Sequence, residues 1–266
     1  MKAQGINAAS ITYDAREVLS AFSSAYKIEY PMLSDVGSKV IRAFGIFNTN
    51  IPPDHAFYGV PWPGEYLVAP DGTVRDKVFL PSYEHRASAT EVIFRNCGVD
   101  NTGHGVEIKT TVVDASVTLS SDRCFAGQEL GIALDLNVKP GWHLYGKPLP
   151  SNYRPTELVL SGPLVDHLTL ELPAPQTKLM KALDETLPIY EGKVRAVGKL
   201  AIKWSPPIPA PFLLKIGPAI EADAHKIAGA LRYQACSETV CEAPEEIRFE
   251  LPLTIEKGVP SAPKPG

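Results

Sequence analysis

Residues 231–246, LRYQACSETVCEAPEE, set Cys236 and Cys241 in strand-like sequence with four residues between them. Three chemistries use such a pair: a reversible redox couple, a structural disulfide, or half of a metal site. Two strands joined by a short loop can bring flanking cysteines to the Cα separation of about 5.5–6 Å that a disulfide prefers. Closing so small a loop removes little unfolded-state entropy, so as a staple the bridge would be weak, and a weak staple is a plausible switch. A zinc site would need two further ligands, and no Cys or His pair stands at ligand spacing elsewhere, so no metal and no cofactor are expected. Glu238, Glu242, Glu245 and Glu246 make the surroundings acidic, which disfavours a free thiolate. Exchange would then run by an incoming thiolate attacking the oxidised pair. Cys97 and Cys124 read as buried, inert thiols. His143, in GWHLYG after a Lys-Pro-Gly turn, reads as a packing and turn element, and His85 in YEHR is assigned no functional role.

The elements that must carry these residues fall into two grammars. Residues 1–98 alternate strand and helix: INAASITY, then AREVLSAFSSAYK with Val18, Leu19, Phe22 and Tyr26 at helical spacing behind an N-cap at Asp14. IEYPMLSD, GSKVIRAFGI, a hairpin around Asp71-Gly72 and a closing helix SATEVIFRNC follow, which implies an α/β layer. From about Val106 short strands are separated by Pro/Gly turns, and Leu130, Ile132, Leu134 and Leu136 in ELGIALDLNV share one face. That pattern argues a β-sandwich over 105–256, with a joint in GVDNTGHG and a Pro-rich tail, 257–266, that reads as disordered or as a linker.

Length and composition agree with two domains. The chain has 266 residues, 44% of them hydrophobic and 21% charged, with a formal charge of −4 that gives no reason to expect nucleic acid. No apolar run approaches the about 20 residues needed to span a bilayer, and MKAQGINAAS has no charged flank followed by an apolar core of an export signal.

VPWPGEYLVAPDGTVRDKV resembles the hairpin of the redoxin (AhpC/TSA) branch of the thioredoxin fold, over roughly residues 5–95. The resemblance puts Pro63 at that family's cis-proline position, so Trp62-Pro63 is expected to be cis. The reactive cysteine of that family belongs upstream of where this sequence begins, and residues 1–96 contain no cysteine. An incomplete thioredoxin-like domain without peroxidase activity is the expectation.

KPGWHLYGKPLPSNYRPTELVLSGP, LPIYEGKVRAVGKLAI and LRYQACSETVCEAPEEIRFELPL resemble the N-terminal, immunoglobulin-like domain of the thiol:disulfide interchange protein DsbD. The last match joins Tyr233-Gln-Ala-Cys236 to Cys241 and a returning strand. The resemblance implies that Cys236 and Cys241 are the exchanging, disulfide-forming pair, and that DETLPIYEG, with Tyr190 and Glu191, is a cap. Tyr190 is either a core aromatic or a lid, and Pro188 and Gly192 stiffen and turn the segment 185–192. It further implies a thioredoxin-like redox partner, a periplasmic or otherwise extracytoplasmic setting, and a membrane electron conduit in a longer parent. In that reading Cys236 forms the partner adduct when Cys241 is changed to Ala. The alternative is a non-catalytic binding protein whose disulfide is structural.

Overall fold

The computed structural model describes residues 5–79, 86–98, 104–180, 185–204 and 220–257. Within it the chain separates into two compact units between Glu65 and Tyr66. The first unit holds β1 (Ser10–Thr12), α1 (Arg16–Tyr26), β2 (Met32–Ser34) and α2 (Lys39–Ala43). β1 and β2 pair in parallel with α1 as their crossover, the unit from which an α/β layer is built. α1 begins one residue later than an Asp14 cap would start it: Ala15 is the N-cap, and Asp14 instead accepts a hydrogen bond from Thr12 Oγ1. Of the apolar row expected on α1 only Leu19 is buried, while Val18 and Phe22 are exposed.

The second unit follows with β3 (Glu65–Val68), whose first residue lies at the division, then β4 (Val74–Val78), β5 (Arg86–Ala87) and α3 (Ala89–Cys97). β3 and β4 form the expected hairpin as a separate two-stranded sheet. The described residues therefore hold a parallel βαβ unit and a hairpin, and no continuous thioredoxin-like sheet is formed among them. Trp62-Pro63 is trans, against expectation; Trp62 N donates to Ile46 O and a bridge joins Phe47 to Pro61, so the chain enters Pro63 already extended. Lys147-Pro148 is the cis peptide among the described residues.

The rest is strand: β6 (Gly105–Lys109), β7 (Val113–Leu119), β8 (Arg123–Cys124), β9 (Gln128–Val138), β10 (His143–Tyr145), β11 (Glu157–Ser161), β12 (Val165–Thr169), β13 (Gln176–Met180), β14 (Glu185–Tyr190), β15 (Lys193–Ile202), β16 (Ala224–Tyr233), β17 (Ala235–Cys236) and β18 (Glu245–Ile255). One sheet runs β12-β15-β9-β7-β6 with β5 beside β9, a second runs β11-β16-β18-β8, and a third, smaller one runs β13-β14-β10-β17. The two large sheets enclose a core in which Val117, Leu130, Ile132 and Leu134 face Ile227, Leu231, Leu251 and Leu253. The mainly-β architecture agrees with the sandwich read from the period-two patterns, and β7 alternates buried and half-buried along its length.

β9 departs from simple alternation because its outer face is covered too. α3 packs there, with Phe94 lying so close over Gly131 that any Cβ would meet the ring at 2.7 Å. The helix starts as SATE spells it, Ser88 Oγ accepting from Glu91 N at 3.1 Å, and ends on Gly98 in the left-handed region. Glu91 is fully buried beneath Arg95, whose Nε donates to it at 2.8 Å. The segment 86–97 thus packs on the sandwich sheet. The joint 98–105 falls mostly outside the described residues, as do His85 and all but the first residue of the tail.

Candidate functional site

The small sheet positions the cysteines. Its strands alternate between two faces: Leu144, Tyr190 and Ala235 join the main core, whereas Tyr145, Met180, Leu187, Ile189 and Cys236 form a separate cluster on the other side. Registers explain the division. Leu144 pairs with Tyr190 and with Ala235, and Tyr145 pairs with Ile189, so the first face is assembled from three strands and the second, with Met180 of β13, from four.

Cys236 and Cys241 are joined in a disulfide with a Cα separation of 4.1 Å, closer than the sequence leads one to expect. They oppose each other as a narrow antiparallel pair, flanked by Glu242 N donating to Ala235 O at 2.9 Å and Ser237 N donating to Val240 O at 2.7 Å. Non-hydrogen-bonded pairs of this kind are the ones that bring Cα atoms nearest. The connecting loop is held by Ser237, whose Oγ accepts from Val240 N at 3.0 Å and Thr239 N at 3.3 Å. Gln234 ties it to the 147–155 loop, accepting from Arg154 N at 3.0 Å and donating to Glu242 O at 3.1 Å.

The two cysteines differ in exposure. Cys236 is 0% exposed, while Cys241 lies at the surface. Tyr145, also 0% exposed, donates its O–H to Cys236 Sγ at 3.0 Å, and its oxygen stands 3.7 Å from Cys241 Sγ. Burial, with Tyr153 and Glu185 nearby, pushes the Tyr145 phenol up to about 12, so it remains a donor across the pH range of thiol chemistry. The phenol is held from behind: Tyr145 O accepts from Thr156 N and Oγ1, at 2.8 and 2.9 Å, and Gly146 N donates to Pro188 O at 2.9 Å. Tyr153 packs against the Tyr145 ring, tilted by 52° with the centroids 5.1 Å apart, and donates to Glu185 Oε2 at 3.1 Å.

Tyr190 is not over the sulfur. It belongs to the main core, 6% exposed, and donates to Pro173 O at 2.7 Å. Adjacent positions on a strand face opposite sides, so from segment 185–192 it is Leu187 and Ile189 that meet the Cys236 cluster. Glu191 is exposed and receives Lys178 Nζ at 2.6 Å, and Gly192 makes its turn with φ 62°. Tyr233 lies in the main core and donates to Glu245; burial and that carboxylate push its phenol up to about 12. Pro63 belongs to the first unit.

The structure brings His143 to the site instead. It pairs directly with Cys236 across β10 and β17, is 1% exposed, and its Nε2 has no hydrogen-bond partner. The available signal was the alternation in HLY, which puts His143 and Tyr145 on one face and Leu144 on the other. Cys97 is exposed rather than buried, because it ends α3 on the outward side; Cys124 is 2% exposed, and burial, then Glu256, raises its thiol to about 12. The acidic surroundings are partly offset, since Arg248 and Arg232 bond Glu246 and hold its carboxyl below its ordinary range. Among the described residues no group of three or more His, Cys, Asp or Glu is placed to hold a metal, and no helix is long and apolar enough to cross a membrane.

A disulfide between one buried and one exposed cysteine, with a phenol on the buried sulfur, is chemically equipped for one-sided attack. No curated protein matches the chain significantly. Among solved structures, the N-terminal periplasmic domain of ScsB from Proteus mirabilis is similar at 14% identity and a TM-score of 0.37, over 60% of this chain and 53% of that one. This chain therefore spans about half the length of that relative. The reduced N-terminal domain of DsbD from Neisseria meningitidis is similar at 14% identity and a TM-score of 0.28, over 47% of this chain and 78% of that one. The AhpC/TSA family model matches residues 1–77. The model of the N-terminal domain of thiol:disulfide interchange protein DsbD matches residues 114–253, more than half of the chain and the whole of the cysteine site, and the chain belongs to that family.

Proposed function

We propose that this chain performs thiol:disulfide exchange, its Cys236–Cys241 pair relaying electrons between a thioredoxin-like donor and further extracytoplasmic partners. The observation that carries the reading is the asymmetry of the pair, open at Cys241 and closed at Cys236. A donor thiolate attacks Cys241 Sγ, and the electron pair of the S–S bond leaves with Cys236 Sγ. Exchange is faster when the leaving thiolate is stabilised, and the Tyr145 O–H at 3.0 Å is a preset donor for that charge. A second donor thiolate then resolves the mixed disulfide and leaves the chain as a dithiol. This order reverses the sequence expectation: the partner adduct forms on Cys241, and Cys236 attacks that adduct only in the opposite direction, when the dithiol passes its electrons on to a further partner.

A longer parent protein would supply the membrane conduit, and the periplasm the redox setting in which such a pair cycles. Peroxide reduction is not part of the proposal, since residues 1–96 have no cysteine and Cys124 is shielded. The binding-protein reading treats the bridge as a staple, yet the loop is already pinned by Ser237 and Gln234, so a staple would add little there. Equilibrating the full chain with a thioredoxin-like dithiol decides between them. Exchange at a mild potential supports the relay; a bridge that stays closed below roughly −300 mV identifies a structural disulfide.

A further inference from the structure

We infer that His143 is the proton acceptor for the Cys236 thiol, with Glu191 as the carboxylate on its far side, in the exchange reaction on which this inference rests. The small sheet lines the three groups up. His143 faces Cys236 in the β10–β17 register. On its other side the β10–β14 register pairs Leu144 with Tyr190, and one step further along, past the end of β14, comes Glu191. Carboxylate, imidazole and thiol thus follow one another across three neighbouring chain segments. Directly opposed residues of an antiparallel pair have Cβ atoms about 4.5–5.5 Å apart, within reach of a ring nitrogen for a sulfur.

The oxidised site leaves the imidazole with something missing. Nε2 is buried without a partner, which is costly for a polar atom, and a disulfide has no proton to give it. Reduction creates an S–H on Cys236, the nearest new donor in the register. The charges that act on His143 are Lys178 on β13 and Glu191 beyond β14; the titratable groups beside it are Tyr145 on its own strand, at 5.7 Å between ring centroids, and, once the bridge is reduced, Cys236 on β17. Burial and Lys178 hold the imidazole below its ordinary pKa, and Glu191 opposes them. A neutral ring at neutral pH is the form that accepts a proton.

In the closing half-reaction Cys241 is joined to a partner sulfur. The Cys236 thiol gives its proton to Nε2, its electron pair forms the bond to Cys241 Sγ, and the partner's sulfur departs with the pair of the broken bond as a thiolate. The imidazolium returns the proton, through solvent, to that thiolate. One S–S bond is broken and one made; over both half-reactions the chain is oxidised by two electrons and the partner disulfide reduced by two. Reduction follows the same path backwards.

The test uses the full chain, dithiothreitol as donor and oxidised glutathione as acceptor, with rates followed against pH. His143→Phe is expected to slow closure at neutral pH by tenfold or more and to move the limb of the rate profile to higher pH. His143→Gln, which can bond but not carry the proton, should not rescue it, and Glu191→Gln should move the same limb by a smaller amount. As a check that needs no variant, the His143 ring resonances are titrated in the oxidised and reduced chain. Different midpoints are expected. Exchange that proceeds normally with an unmoved pH profile, or equal midpoints in both redox states, overturns the role of His143. A wild-type chain that exchanges with neither reagent overturns the exchange reading itself.

Discussion

The two faces of the small sheet use burial differently. Toward the sandwich, Leu144, Tyr190 and Ala235 complete an apolar core in which Tyr190 satisfies its one polar atom on Pro173 O. On the other face a phenol, an imidazole and a cysteine are buried side by side, and the imidazole keeps an unpartnered nitrogen. The first face is what a stable sandwich requires. The second is not, since an apolar cluster of the same shape would pack without leaving a polar atom unpaired. Polar burial that stability does not need marks where chemistry is done.

Substitutions on the two faces should therefore separate stability from exchange. The largest effect is expected at the cysteines: Cys236→Ser or Cys241→Ser abolishes turnover in an insulin-reduction or dithiol-exchange assay while circular dichroism stays that of the sandwich. Leu134→Ala, in the main core at 1% exposure, should do the opposite. It should cost about 2–5 kcal/mol in a denaturant titration, the usual range for a buried leucine, with exchange rates unchanged below the transition.

Tyr145→Phe comes next. The ring keeps its packing and loses the O–H on Cys236 Sγ. A hydrogen bond to a charged group contributes about 1.5–3 kcal/mol, so stopped-flow reduction should slow on the order of tenfold to a hundredfold. An unchanged rate would mean that the buried sulfur is not the leaving group.

A smaller effect concerns acid stability. Burial and Lys178 lower the His143 pKa, so the folded chain favours the neutral ring. The stability gained is complete above the unfolded value of about 6.5 and is lost as pH falls through the lower folded value. Urea midpoints should fall between pH 7 and pH 5 in the wild type and fall less in His143→Phe. Smallest of all, and without effect on exchange, Cys97 should react with maleimide in the native chain while Cys124, raised to about 12 by burial and Glu256, should not until unfolding.

Much of this is legible in the residues. β9 announces itself through Leu130, Ile132, Leu134 and Leu136, which are all buried, because alternation with large apolar side chains has one solution in a sandwich. The pairing of Cys236 with Cys241 follows from the resemblance, and Gly192 from its turn. What escapes the sequence is the parity of a strand. Tyr190 and Tyr145 are both aromatic, and a step of one residue sends a side chain to the other face, so the sequence reading offers Tyr190 as a lid and passes over Tyr145. His143 reads as a turn residue because its strand, β10, is only three residues long and sits between segments distant in sequence. The cover of α3 over Gly131 is hidden for a similar reason: a glycine in a strand signals a close approach without naming the partner.

Mixed-disulfide trapping decides whether the open sulfur is the one that reacts. In the full chain with Cys236→Ala, a thioredoxin-like partner should be captured as a stable adduct on Cys241, identified by mass spectrometry of the linked peptides. With Cys241→Ala, the buried Cys236 should capture little or none. Adducts on Cys236 alone, or on neither cysteine, would contradict attack at the open sulfur.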